Sequence, residues 1–258
     1  MRWLLPLLVC LMGTLPAVAQ TQEVESIEIG LSADAIAITS DFSGADLTIF
    51  GALDNADPLT ARQGRYDIIV VLQGPAAATV VRKKERFFGM WINRHSQTFE
   101  GVPLSYSLAT TRAMQDIANT ESFSRLSLGV DNIFLKPSDP DGDTARIAEF
   151  TEALRSRKRA TGLYSERVGG VQFLSQSLFR ATLALPPNVP VGTHRARAFL
   201  FKNGVFLRET SAPLAILKSG FEETVYRAAN GYSFLYGAGA VLLAMLVGWL
   251  GRVIFRKD

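Results

Sequence analysis

The sequence predicts a mainly β chain: an Ig-like β-sandwich domain with a helical insertion, followed by one C-terminal transmembrane helix. Three observations carry that reading. Short runs rich in β-branched and aromatic residues are punctuated by Gly, Pro, Asn and Asp turn signals. One stretch in the middle, Thr144 to Leu163, repeats its apolar residues at helical spacing. The third is an uncharged run from Ala228 to Gly251 near the end. With 258 residues, 48% of them hydrophobic, the chain can bury a sizeable core, and 20% charged residues argue against extensive disorder.

The N-terminal residues MRWLLPLLVCLMGTLPAVAQ pair one early Arg with an apolar stretch, then Ala17-Val18-Ala19. Small residues at −3 and −1 suit signal peptidase, so residues 1–19 are predicted to be a cleaved signal peptide. Val9 is not the small residue a lipidated cysteine needs before it, which argues against lipidation at Cys10. Cys10 is the only cysteine, and no Asn stands in an N-x-[ST] sequon. A bacterial periplasmic domain over residues 20–227 is the expectation that fits both absences.

Within that domain the strands are read in order. VESIEIGLS alternates Ile27 and Ile29 with Glu28, AIAIT follows, and ADLTIFGALD sets Leu47 and Ile49 on one face. RYDIIVVLQGP reads as a more buried strand, because Ile68 to Leu72 is continuously apolar until Gly74-Pro75 ends it. ATVVRKKERFFGMWINR is a further strand or pair, with Arg82, Lys84 and Arg86 on one face. A helical insertion occupies about 110–165: short helices over Thr110 to Thr120 and Ser122 to Asn132, a PSDPDGD loop, then Thr144 to Leu163 with Ile147, Phe150, Thr151 and Leu154 inward. After Gly169-Gly170 come ATLALP, a THRARAFLFKNGVFLRET hairpin turning at Asn203-Gly204, and a last strand in APLAILKSG.

The run 228–251 has 24 residues, about 36 Å as a helix, against roughly 30 Å of hydrocarbon. Tyr232, Tyr236 and Trp249 sit near its ends, and Arg252, Arg256 and Lys257 in the tail 252–258 place the C-terminus in the cytoplasm. Setting Arg2 and those three basic residues aside from 27, and Asp258 from 24 acidic residues, leaves 23 of each. The middle is therefore neutral, and the basic pI gives no reason to expect nucleic acid.

The segments GADLTIFGA (Gly44 to Ala52), VVRKKERFFGMWIN (Val80 to Asn93) and PPNVPVGTHRARAFLFKNG, with the terminal run, resemble the Alph_Pro_TM family of alphaproteobacterial transmembrane proteins of unknown function. The resemblance covers essentially the whole chain and implies an inner-membrane topology. It carries over no active-site residue. It also implies a lead to a partner, a sulfite-exporter-type permease.

No catalytic constellation is recognisable. His95 and His194 lie in separate segments, Ser43-Gly44 lacks the G-x-S-x-G context, and no cofactor motif occurs. Asp139, Asp141 and Asp143 are weak calcium candidates: against an EF-hand loop Gly142 falls at position 4, and Phe150 stands where Glu belongs. Asp143 or Thr144 reads better as an N-cap. Two basic clusters, Arg82-Lys83-Lys84 with Arg86 and Arg155 with Arg157-Lys158-Arg159, read as solvated faces or as sites for lipid headgroups or an oxyanion. Gly237, Ala240, Ala244, Gly248 and Gly251 fall within roughly 80° on one helix face, a surface for close helix packing. The expected function is a non-enzymatic accessory or interaction module of a membrane assembly, with a transporter or a second copy met through that helix. A tethered hydrolase or lyase and an envelope ligand-binding module are the alternatives.

Overall fold

The computed structural model describes residues 24–39, 41–140, 142–220 and 229–254. The predicted signal peptide with its predicted cleavage site and Cys10 lie outside the described residues, as does Asp141. Thirteen strands make the described domain mainly β: β1 Ser26–Leu31, β2 Ala35–Ile38, β3 Ala45–Asp54, β4 Tyr66–Gln73, β5 Ala76–Phe87, β6 Met90–Pro103, β7 Tyr106–Thr110, β8 Lys136–Pro137, β9 Tyr164–Val168, β10 Val171–Phe173, β11 Leu178–Leu185, β12 Gly192–Lys202 and β13 Val205–Lys218. They form a four-stranded sheet ordered β1-β3-β11-β10, a six-stranded sheet ordered β2-β13-β12-β4-β7-β9, and a three-stranded sheet ordered β5-β6-β8.

The six-stranded sheet is a wall with apolar packing on both faces. On β4, Ile68, Val70 and Leu72 join Ala196, Ala198 and Leu200 of β12 in a core shared with Leu47 and Ile49 of β3 and with Phe179 and Leu183 of β11. The alternate residues Ile69 and Val71, with Phe199, Phe201, Tyr106 and Leu108, belong to a second core behind the sheet. This two-sided burial is why β4 reads as an unbroken apolar run. Among the described residues four α-helices precede the C-terminal one: α1 Pro58–Arg62, α2 Met114–Ile117, α3 Thr120–Leu126 and α4 Thr144–Ala160. Phe150 and Leu154 of α4 complete the second core, with Ile147 packed on its margin and Phe123 from α3. The inward stripe predicted for this helix is thus the one observed.

The six-stranded sheet is mixed, because β13 pairs with β2 and β7 with β9 in parallel. One strand of the sequence reading changes. APLAILKSG is not a separate strand; Ala212–Lys218 continues β13, whose 14 residues outrun the hairpin turn. The turn itself is as predicted, with Asn203 (φ +51°) and Gly204 (φ +85°) both left-handed as a two-residue I′ loop requires.

The insertion's two short helices differ from the expectation: Met114–Ile117 starts late, since Thr110 is still in β7, while Thr120–Leu126 starts before Ser122 and ends short of Asn132. The C-terminal run forms a helix, Ser233–Ile254, whose 22 residues rise about 33 Å. Its large apolar side chains, including Leu242, Leu243, Met245, Leu246 and Val247, are exposed. Among the described residues no helix is long and apolar enough to cross a membrane.

One buried charge is held in the wall. Asp67 enters β4 only 2% exposed, and Arg112 grips it bidentately, Nε to Oδ1 at 2.8 Å and Nη2 to Oδ2 at 2.5 Å. Thr111 Oγ1 donates a third bond at 2.9 Å, and the carboxylate lifts the Arg112 pKa. Arg112→Ala strands the carboxylate. Because the guanidinium is half in water, the expected loss is about 2 kcal/mol, under the range for fully buried pairs. Chemical unfolding should show it, and adding Asp67→Asn should recover part of it; no recovery would mean that Arg112 acts by packing alone.

Candidate interaction surface

The feature that stands apart from the cores is the β5–β6 hairpin. Its register brings Arg82 opposite Ser96, Lys84 opposite Asn93, Arg86 opposite Trp91 and Phe87 opposite Met90, with a one-residue slip between Lys83 and Lys84. Alternation along β5 puts Arg82, Lys84 and Arg86 on one face, as the sequence predicts. Among the described residues no carboxylate pairs with any of those three. On the opposite face Lys83 Nζ bonds Glu149 Oε1 of α4 at 2.6 Å, while Glu85 is flanked by Arg94 at 3.6 Å and His95 at 3.9 Å. The Glu149 hydrogen bond raises the Lys83 pKa. A cleft of about 270 Å³ between hairpin and α4 is lined by these self-neutralising charges together with Asp143 and Arg146.

The apex of the hairpin is aromatic. Phe88 is 88% exposed and Trp91 68%, with Phe87, Met90 and Ile92 also exposed. Phe88 (φ +47°) and Gly89 (φ +81°) form the two-residue turn. The β12–β13 turn holds nearly the same φ pair with Asn in the first position, which tolerates the left-handed region; a bulky aromatic there is disfavoured. The Phe88 ring meets Phe87 edge-on at 4.5 Å, so the two form a small apolar tip in water. The sequence reading found the basic face and missed this tip. The available signal was Phe87, Phe88 and Trp91 crowded around one Gly with basic residues on both flanks, where a solvated turn would carry Asn or Asp.

The second basic cluster has a different fate. Arg155 Nη2 donates to the Ile133 carbonyl at 3.1 Å, Lys158 Nζ to the Leu104 carbonyl at 2.9 Å, and Arg159 Nη2 to Asp131 at 2.6 Å. Lys158 also lies 5.7 Å from the centre of the Tyr164 ring, and its burial lowers its pKa. Arg157 and Arg159 are nonetheless exposed. Three of the four cations thus tie α4 to its neighbours.

His194 is fully buried, and its ring links two backbone regions. Nδ1 lies 3.2 Å from the Gly192 carbonyl and Nε2 3.2 Å from Ser105 Oγ. A carbonyl can only accept, so the network assigns the proton to Nδ1 and leaves Nε2 to accept from the serine hydroxyl. This is a nucleophile-and-base contact that the sequence could not disclose. Its setting does not suit hydrolysis: the adjoining cavity is about 10 Å³, room for a water molecule at most. Gly74 closes one side, since an added Cβ would stand 2.3 Å from Ser105 Oγ and 3.1 Å from Nε2. His95 sits far along the hairpin on the charged cleft, so the two histidines are not brought together.

Asp143 is the N-cap of α4, accepting from the Ala145 and Arg146 amides at 3.0 and 3.4 Å. Asp139 approaches Gly142 nearby. Among the described residues no group of three or more His, Cys, Asp or Glu could hold a metal ion. Gly237, Gly248 and Gly251 lie in the Ser233–Ile254 helix, and a Cβ built on any of them would meet nothing within 4 Å.

The family model described as "Putative transmembrane protein (Alph_Pro_TM)" matches residues 26–257, which takes in all thirteen strands and the C-terminal helix. The chain belongs to that family. No curated protein gives a significant match. Among solved structures the chain is similar to Spo0M, a sporulation control protein from Bacillus subtilis, at 11% identity and a TM-score of 0.29, covering 81% of this chain and 56% of that one. It is also similar to the N-terminal domain of the Streptococcus gordonii adhesin Sgo0707, at 10% identity and a TM-score of 0.24, covering 76% of this chain and 33% of that one. The chain thus spans about half of the first and a third of the second. For an Alph_Pro_TM member the family description concerns the membrane and names no chemistry.

Two predictions follow from the geometry. Burial depresses the His194 pKa below its ordinary value near 6.5. The unfolded chain then takes up its proton first as pH falls through about 6.5, so stability declines from there down to the folded-state pKa and is unaffected above it. Unfolding midpoints at pH 7.5 and 5.5 should fall further for the native chain than for His194→Gln; equal falls would remove His194 as the cause. Phe88→Asn should stabilise the fold by about 1 kcal/mol, by putting a tolerant residue into the left-handed turn position. Loss of stability on that change would mean that the Phe88 ring is part of the fold's packing.

Proposed function

We propose that this Alph_Pro_TM member is a single-pass inner-membrane protein whose periplasmic β domain works by interaction, as an accessory module of a membrane assembly. The observation that carries the reading is the uncharged run Ala228 to Gly251 taken with the exposed apolar side chains of the Ser233–Ile254 helix, although that helix as described falls short of a crossing. Leu242, Leu243, Met245, Leu246, Val247 and Trp249 are exposed around it, and an apolar helix without a wet face calls for hydrocarbon or another protein around it. The uncharged sequence from Ala228 to Gly251 and the basic residues after it support a crossing with the C-terminus in the cytoplasm. The family description, a transmembrane protein, is in line with a membrane location.

The small-residue face of Gly237, Ala240, Ala244, Gly248 and Gly251 supports a helical partner in the bilayer, because small side chains let a second helix approach closely. A multi-span permease, with the sulfite-exporter type as the family-implied lead, or a second copy of the chain is the partner in this reading. The closed Ser105–His194 pair gives a tethered hydrolase nothing to act through.

Crosslinking the full-length protein in native membranes, followed by pull-down and mass spectrometry, should recover an integral membrane protein in stoichiometric amount. Gly248→Leu should reduce that yield several-fold, as a side chain forced into a close helix contact would. Recovery of no integral protein, with Gly248→Leu and Ala240→Leu without effect, would sink the accessory reading.

A further inference from the structure

We propose that the β5–β6 hairpin is a second membrane contact: its aromatic apex enters the interface of an anionic phospholipid bilayer while Arg82, Lys84 and Arg86 meet the headgroups. The inference rests on the anchored reading only in placing the domain beside a bilayer. Three observations converge on it. Phe87, Phe88, Met90 and Trp91 form an exposed apolar tip at the end of two long strands. Trp and Phe are the side chains that settle at the depth of lipid headgroups. Behind the tip, three cations share one face without carboxylate partners among the described residues, whereas most of the other basic cluster is occupied within the fold. Finally, Phe88 occupies a left-handed turn position that the other two-residue hairpin gives to Asn, so the aromatic is kept there against local preference.

Charge decides between a bilayer and a protein groove as occupant. The opposite face of the hairpin neutralises its own charges through Glu85 and Glu149, and Arg82, Lys84 and Arg86 are left to an external anion. Three cations spaced at alternate residues over about 13 Å of strand match a laterally extended array of phosphates better than a single pocketed ion.

The test uses the full-length chain with Trp3→Phe and Trp249→Phe, which leaves Trp91 as the one tryptophan. It is reconstituted in vesicles of phosphatidylcholine alone, or of phosphatidylcholine with phosphatidylglycerol, each containing lipid brominated high on the acyl chain. With phosphatidylglycerol, Trp91 emission should shift to the blue, be quenched by the bromolipid and become inaccessible to aqueous iodide. Each basic residue near an anionic surface contributes a factor of about five, so replacing Arg82, Lys84 and Arg86 together by Ala should weaken docking roughly 10²-fold. Phe88→Asn keeps the turn and should also diminish the quenching, which guards against reading misfolding as lost docking. Trp91 remaining unquenched and iodide-accessible in phosphatidylglycerol vesicles would overturn the proposal. So would a blue shift that appears without anionic lipid and grows with protein concentration, because that would assign the tip to a protein contact. Alkaline extraction of the same vesicles reports on the C-terminal anchor by itself: a chain that is extracted yet shows Trp91 quenching refutes the anchor and keeps the hairpin, and the reverse pattern does the opposite.

Discussion

The structure depends on one sheet having no wet face. β4 contributes Ile68, Val70 and Leu72 to one core and Ile69 and Val71 to the other, each at most 2% exposed. At roughly 2 kcal/mol for each side chain buried, five consecutive residues supply on the order of 10 kcal/mol of gross stabilisation, comparable with the net stability of a whole domain. Everything else is arranged to keep water from that wall. The four-stranded sheet covers one side, and the helical insertion with the base of the long hairpin covers the other. The insertion is therefore a structural necessity, since removing it would expose Phe199 and Phe201 along with Ile69 and Val71.

A wall buried on both faces also fixes where charge is tolerated. Asp67 and His194 are buried at its margins, and each has a fully specified set of partners: Arg112 and Thr111 for the carboxylate, Ser105 and the Gly192 carbonyl for the ring. Asp67 is satisfied by a guanidinium that reaches it from the solvent side. His194 stays neutral because its partners are a carbonyl and a hydroxyl, and neither compensates a buried cation.

How much of this could be read from the sequence follows from the range of the interactions involved. The continuous apolar run of β4, the inward stripe of Ile147, Phe150 and Leu154, the Asp143 cap and the Asn203-Gly204 turn are local, and periodicity or turn chemistry discloses them. Parallel pairing of β13 with β2 and of β7 with β9 joins segments far apart in the chain, and nothing in either segment specifies it. The Ser105–His194 contact spans 89 residues and was invisible for the same reason. The aromatic apex is different, because its signal was present. A run of Phe, Gly, Met and Trp satisfies a strand pattern, and only the position of the two-residue turn separates an inward strand from an exposed tip.

The two basic clusters make the same point about function. In sequence they look alike, four cations within five residues in each case. In the fold, Arg155, Lys158 and Arg159 find two carbonyls and a carboxylate, because α4 lies across the segments that carry Ile133, Leu104 and Asp131. In β5, Lys83 points toward α4 and finds Glu149, while Arg82, Lys84 and Arg86 point the other way, where the described residues provide no carboxylate. Strand alternation, more than composition, separates the cation used for folding from the three left over. Leaving three like charges on one face carries a small repulsive cost that an anionic surface would relieve. The same ribbon ends in a turn whose aromatic residue local preference argues against. Two independent departures from what stability favours, on one hairpin, are what a surface kept for contact looks like.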